Sequence, residues 1–218
     1  MTRKTFHEEL DELKQDVFIM GEKVEIAVKK SMEALLKPDA VLAEEVIKED
    51  DVIDEMNMSI EERSLNMLAR QQPVAKDLRL ISSSLKIVIH LERMGDYAFN
   101  VAKIARRLKS GSEVPDIMSI MTKMAEETNQ IVVSSIKVFK ERDLELAHAL
   151  PDMDASIDED FKKLIRELGV LISGDEDEAN WATAMILASR NIERLADHAV
   201  DICEQVIYLV TGELEELD

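Results

Sequence analysis

The chain has 218 residues, with 46 Asp and Glu against 27 Lys and Arg, for a net charge of −19. That balance, with its basic residues scattered among acids, excludes a nucleic-acid partner, which needs clustered cations to replace phosphate counterions, and it disfavours anionic lipid for the same reason. Aromatic residues make up only 4%, so a core has to be assembled from aliphatic side chains, Ala and twelve Met, the usual material of helix–helix packing.

Apolar residues recur at three- and four-residue spacings, as at Ile81, Leu85 and Val88 or at Met185, Ile192, Ala196, Ala199, Cys203 and Val206. This pattern predicts helices rather than strands. Three are expected in the first half, over 6–36, 39–70 and 77–108, and three in the second, over 116–140, 143–172 and 176–210. Asp39, Asp77, Asp116 and Asp143 stand where an N-cap or first-turn carboxylate meets unpaired backbone N–H groups and the helix dipole. Gly and Pro are expected between the periodic runs, apart from Gly21, Gly95 and Gly169. Lys109-Ser110-Gly111-Ser112-Glu113-Val114-Pro115 offers a helix stop followed by a proline start, dividing the chain into 1–112 and 113–218. No apolar run reaches the roughly 20 residues that span a bilayer, and Met1-Thr2-Arg3-Lys4-Thr5-Phe6 has no apolar signal region. The one cysteine excludes an intrachain disulfide and fits a reducing cytoplasm.

The two halves repeat each other. Leu91-Glu92-Arg93-Met94-Gly95-Asp96-Tyr97-Ala98 and Ile192-Glu193-Arg194-Leu195-Ala196-Asp197-His198-Ala199 share a constant offset of 101 residues. Upstream, residues 31–54 lie over 135–158 without a gap at an offset of 104, pairing Asp39 with Asp143, Leu42-Ala43 with Leu146-Ala147, Asp50 with Asp154, and Ile53-Asp54 with Ile157-Asp158. The change of offset is expected in the linker, 70–77 in the first half against 173–178 in the second. An ordered series of matches with one local length change points to tandem duplication. The fold class read from the sequence is therefore all-α, two pseudo-symmetric three-helix bundles. Cys203 aligns with Ala102 on the apolar stripe, as a small buried hydrophobe rather than a nucleophile.

Each repeated motif puts Glu and Asp four residues apart, on one helix face and about one turn apart. At about 100° per residue, Glu92 points with Ile81, Val88 and Phe99, inside the apolar arc. Glu193, Asp197, Asp201 and Glu204 form a stripe beside the second apolar face and are expected to be partly wet. Two carboxylates about 6 Å apart repel by about 3 kcal/mol at an effective dielectric near 20, and partial burial adds several more per ion. Arg93 and Arg194 lie one residue along, about 100° away, and are expected to pair elsewhere. If Asp50/Asp54 face Glu92/Asp96, and Asp154/Asp158 face Glu193/Asp197, each half holds a four-carboxylate cage of oxygen ligands, with Asn100 and Asp201 one turn beyond as additional ligands. Such cages suit Mg, Ca, Mn or iron. A merely solvated acidic surface is the plain alternative, and the repetition of both pairs weighs against it.

Other patterns carry less. Glu145-Leu146-Ala147-His148 has the Glu-x-x-His spacing of di-iron bundles, but those need two copies and two further Glu, so it reads as surface. His7 and His90 have no partner by spacing, and His198, beside Asp197, can orient a ligand. Without a Gly-rich phosphate loop, a cysteine pair or a Ser/His/Asp arrangement, nothing demands catalysis.

Glu92-Arg93-Met94-Gly95-Asp96, Glu193-Arg194-Leu195-Ala196-Asp197-His198-Ala199 and the connector Gln72-Pro73-Val74-Ala75-Lys76-Asp77-Leu78-Arg79 resemble the PhoU family of phosphate-transport regulators across nearly the whole chain. Met94 takes the place of the family's Ile, Ala196 replaces Gly, and Asp201 stands where Asn100 stands in the first copy. The resemblance implies two three-helix bundles, multinuclear metal sites on the Glu/Asp-x-x-x-Asp motifs (iron, Zn, Mn, Mg or Ca), and a homodimer. It also implies a negative regulator of phosphate uptake and starvation signalling that is not an enzyme. Such a regulator acts at the cytoplasmic face of the membrane on the ATPase subunit of the phosphate ABC transporter and, where one exists, on a phosphate-sensing histidine kinase. The competing readings are a carboxylate-bridged di-metal enzyme and a metal-free helical scaffold.

Overall fold

Six helices make up the computed structural model, which describes residues 3–108 and 114–217: α1 (Arg3–Leu36), α2 (Ala40–Gln71), α3 (Ala75–Ala105), α4 (Pro115–Glu141), α5 (Leu144–Leu171) and α6 (Glu176–Thr211). No strand occurs among the described residues. The helix starts follow from their caps. Asp39 accepts hydrogen bonds from the backbone N–H groups of Val41 and Leu42, and Asp143 from that of Leu146. Asp175 caps α6 in the same way through Asp177 and Glu178, a cap that the sequence reading passed over. Asp77 and Asp116 sit in the first turns of α3 and α4, behind Val74 and Val114 at the N-cap positions. The α3 helix closes at Ala105, short of the expected 108, and the proposed stop at 109–113 lies outside the described residues, as does the division between 112 and 113.

Pro151 corrects the expectation that proline stays between helices, because it lies inside α5. It has no N–H to donate to the carbonyl four residues back. Packing on both sides compensates: Ala147, Leu150 and Ile157 of the same helix are fully buried.

Helices α1, α2 and α3 pack on one another, α4, α5 and α6 do the same, and α3 meets α6 while α1 meets α4. The two helices carrying the repeated motif are therefore the central pair. Their apolar positions, Met94, Ala98 and Val101 on α3 and Leu195, Ala196 and Ala199 on α6, are fully buried, and one continuous apolar cluster runs through both halves. The change of offset has a different origin from the one expected. The stretch before the motif Glu is equally long in α3 and α6, whereas α2 runs on from Glu55 to Gln71 past its aspartate pair and α5 only from Glu159 to Leu171. The first half gains about one helical turn at the end of α2, because a helix lengthens by whole turns without moving the face it presents.

Gly95 allows α2 to lie close to α3. A Cβ at that position would stand 3.2 Å from Cγ2 of Ile53, and Ile53 lies between Asp50 and Asp54 on the facing helix. The absent side chain thus sets how near the aspartate pair comes to the motif. Gly95→Ala is expected to change stability by less than about 1 kcal/mol, since the gain in helix propensity offsets a small displacement of Ile53, and the second half already has Ala196 there. Gly95→Leu is expected to cost about 1–3 kcal/mol by overpacking. Denaturant melts of the two variants check this, and equal stability would contradict it.

Candidate functional site

The α2–α3 and α5–α6 pairings bring the predicted carboxylates together. The charges of Asp54, Asp96, Asp51 and Glu92 all act on Asp50, and those of Asp197, Asp158, Glu193 and Asp201 act on Asp154. Burial first and these charges second push both Asp50 and Asp154 up to about 6. Burial is also the leading cause that raises Asp54, Glu92, Glu193 and Asp197, against the opposing pull of Arg93 on Glu92 and of Arg194 on Glu193 and Asp197. Asp51 belongs to the first cluster without having been singled out, and its counterpart in the second half is Ala155. Asn100 is exposed one turn beyond Asp96.

One expectation about these clusters is corrected. Arg93 and Arg194 do not pair elsewhere. Arg93 lies 3.5 Å from Glu92 and 3.2 Å from Asp96, and Arg194 lies 3.3 Å from Glu193 and 2.6 Å from Asp197. A guanidinium on a flexible stem reaches back across the 100° step, and in each motif it is drawn to the two carboxylates beside it. The second stripe is partly wet, as expected, but unevenly so: the side chain of Glu193 is 12% exposed, against 23% for Glu92, and those of Asp197 and Asp201 are 31% and 39% exposed.

The second cluster carries a further sign of a missing partner. Oδ1 of Asp154 is buried and forms no hydrogen bond, a costly arrangement for an ionised oxygen, whereas Oε2 of Glu193, also without a hydrogen bond, is ion-paired with Arg194 at 3.3 Å. An all-oxygen set of four carboxylates is the donor type that a hard divalent cation takes, although among the described residues no three of these carboxylates bring ligand atoms within 4.8 Å of one another. Asp50, Asp54, Glu92 and Asp96 would hold it in the first half and Asp154, Asp158, Glu193 and Asp197 in the second. There it would supply neutralisation of carboxylates from two helices.

Metal-free protein should therefore show an inverted pH response. Asp50 and Asp154 lie above the ordinary carboxylate value of about 4, so between about pH 4 and 6 the folded state binds more protons than the unfolded chain, and stability falls as pH rises through that window. Hydrogen bonds from His198 and His90 outweigh burial at Asp201 and hold it below its ordinary value, so its opposite contribution is lost only below about pH 4. The chelated protein is expected to melt higher at about pH 5 than at about pH 7, with the slope flattened in Asp50→Asn/Asp154→Asn. The reverse order of melting points would contradict the assignment.

The histidines behave differently from their expectation. His90 on α3 has partners after all, 108 residues away: its Nδ1 lies 3.1 Å from Nδ1 of His198 and 3.2 Å from Oδ2 of Asp201. Nδ1 of His198 lies 3.0 Å from the same oxygen. Tyr97, the counterpart of His198 in the repeat, stacks on the His198 ring at 5.7 Å between centroids. No spacing rule could pair residues on helices of different halves. By contrast, His148 of the Glu-x-x-His segment is at the surface, with Nδ1 2.6 Å from the Leu144 carbonyl oxygen and Nε2 3.3 Å from Glu215. Cys203 is fully buried, and burial pushes its thiol up to about 12, as suits a packing residue.

Comparison with known proteins agrees with this architecture. The family model of the PhoU domain matches residues 17–105 and again 121–206. A phosphate-specific transport system accessory protein PhoU homolog from Clostridium acetobutylicum is 36% identical over 219 residues, covering 100% of both chains. The crystal structure of PhoU from Pseudomonas aeruginosa superposes with a TM-score of 0.90 at 36% identity, covering 95% of this chain and 100% of that one. The crystal structure of the phosphate transport system regulatory protein PhoU from Streptococcus pneumoniae gives a TM-score of 0.87 at 28% identity, over 97% and 100%.

Proposed function

The chain belongs to the PhoU family, and from that premise we propose that it is an accessory regulator of phosphate transport that restrains uptake when phosphate is plentiful. It does so as a homodimeric, metal-binding adaptor at the cytoplasmic face of the membrane. Its main partner is the ATPase subunit of the phosphate ABC transporter, with a phosphate-sensing histidine kinase as a second where the cell has one. Among the described residues no helix is long and apolar enough to cross a membrane, so attachment runs through these partners. The full-length likeness to an accessory protein named for this transport system supports the role most directly.

The carboxylate clusters supply the metal-dependent part of the reading. Each joins the middle helix of its half to the helix at the centre of the molecule, so metal occupancy sets the spacing of α2 from α3 and of α5 from α6. The protein works by this change of surface and not by turnover: the Glu-x-x-His segment of the di-metal enzyme reading ends at a surface histidine held by a carbonyl and by Glu215.

Co-purification tests the role. Tagged protein is expected to retain the ATPase subunit from solubilised membranes, with more retained when the cells were grown in ample phosphate. Equal recovery of the ATPase from an untagged control would end the proposal.

A further inference from the structure

We propose that His90, His198 and Asp201 form a mixed nitrogen–oxygen site for a divalent transition metal of the zinc class, separate from the carboxylate clusters and tying α3 to α6. The warrant is a triangle of donor atoms. Its three edges are 3.1 Å between the two Nδ1 atoms, 3.2 Å from His90 Nδ1 to Asp201 Oδ2, and 3.0 Å from His198 Nδ1 to the same oxygen. An ion bound tetrahedrally at about 2.0–2.1 Å holds its ligands about 3.3 Å apart, so the triangle is close to one face of a tetrahedron. Metal-ligating atoms of all three residues also lie within 4.8 Å of one another.

The pairing of the two imidazoles points the same way. Two ring nitrogens and one carboxylate oxygen leave three lone pairs crowded into one small triangle when the nitrogens carry no proton. A proton placed on either ring satisfies one or two edges of the triangle, and protons on both set two N–H groups against each other at 3.1 Å. A cation satisfies all three donors together. Imidazole donors select zinc, copper, nickel or iron over magnesium and calcium, which separates this site chemically from the all-oxygen clusters.

The surroundings hold the ligands in place without sealing them. Tyr97 stacks on His198 with the rings 21° apart, limiting rotation of the imidazole. The His90 and His198 side chains are 21% and 20% exposed, and Asp201 is 39% exposed, so an ion and a fourth, solvent ligand can reach the site. His90 comes from the first half and the other two ligands from the second, so metal here clamps the two bundles together. Asp201 was expected to complete the second carboxylate cage; Oδ2 instead faces the histidines, while its charge still acts on Asp154.

Cobalt(II) added to the purified full chain tests the site independently of any role in phosphate transport. The wild type is expected to give the intense visible absorption of four-coordinate cobalt and two solvent-exchangeable, hyperfine-shifted imidazole N–H resonances. Both signals should persist in the quadruple variant Glu92→Gln/Asp96→Asn/Glu193→Gln/Asp197→Asn, which dismantles the carboxylate clusters. His90→Gln should lose one shifted resonance and bind cobalt at least tenfold more weakly. Asp201→Asn should also weaken binding at least tenfold, and it decides the matter if His90→Gln fails to fold, because Asn100 occupies the equivalent position in the first half. Weak absorption of oxygen-bound cobalt without shifted imidazole resonances, or wild-type affinity in Asp201→Asn, would overturn the site.

Discussion

Saturating manganese, magnesium or calcium is expected to raise the melting temperature of the metal-free protein by roughly 10–20 °C. Each carboxylate cluster occupied at about 100 times its dissociation constant contributes about 2.7 kcal/mol, so two clusters contribute about 5 kcal/mol. A chain of this size gains about 2–4 °C per kcal/mol. The repulsion to be relieved is visible in Asp50 and Asp154, both raised to about 6 by burial and by their acidic neighbours. Glu92→Gln/Asp96→Asn should remove about half of the metal-induced shift while leaving the metal-free melting point equal or higher, because the variant deletes repelling charges along with ligands. These oxygen-seeking ions keep the measurement apart from the histidine cluster. A melting point that stays put with all three ions, and with iron(II) and zinc, would sink the carboxylate sites.

In cells, deletion of the gene should leave phosphate uptake running at starvation rates in phosphate-rich medium, and wild-type protein supplied in trans should restore control. Variants divide the possible causes. Glu92→Ala/Asp96→Ala and Glu193→Ala/Asp197→Ala remove side chains from the helix face opposite the fully buried Met94 and Leu195, so the bundles should stay folded while binding to the transporter ATPase weakens. The second pair is expected to have the larger effect on the fold, since Glu193 is the more buried glutamate and Asp197 holds the 2.6 Å contact with Arg194. Normal phosphate control in the deletion strain, with no paralogue present, would remove the functional assignment. Wild-type ATPase binding by folded variants that no longer take up metal would remove only the metal-dependent step.

Much of this molecule was legible before folding. The offset matches of 31–54 with 135–158 and of Glu92/Asp96 with Glu193/Asp197 gave the duplication, and periodicity gave six helices whose ends fall within a few residues of those observed. Asp39 and Asp143 cap where the chain pattern put them. These features are local: a cap reaches two or three residues, an amphipathic stripe repeats every turn, and an i,i+4 pair shares a face wherever the helix goes. The approach of Asp50/Asp54 to Glu92/Asp96 is different: spacing left it conditional, and it depends on how α2 packs against α3.

What the sequence by itself determined, then, is the helical repeat and which carboxylates share a face of each helix, since both depend on spacing within one helix. Only the tertiary structure decided the rest. The return of Arg93 and Arg194 to their own motifs is a choice among several acidic partners in a chain of charge −19, settled by which oxygens lie within reach of a flexible stem. The joining of His90 to His198 and Asp201 depends on α3 and α6 packing across the boundary between halves. A contact between residues 108 positions apart leaves no mark in local periodicity, because the free energy that fixes it is the burial of the whole α3–α6 interface and not any preference of the histidines themselves.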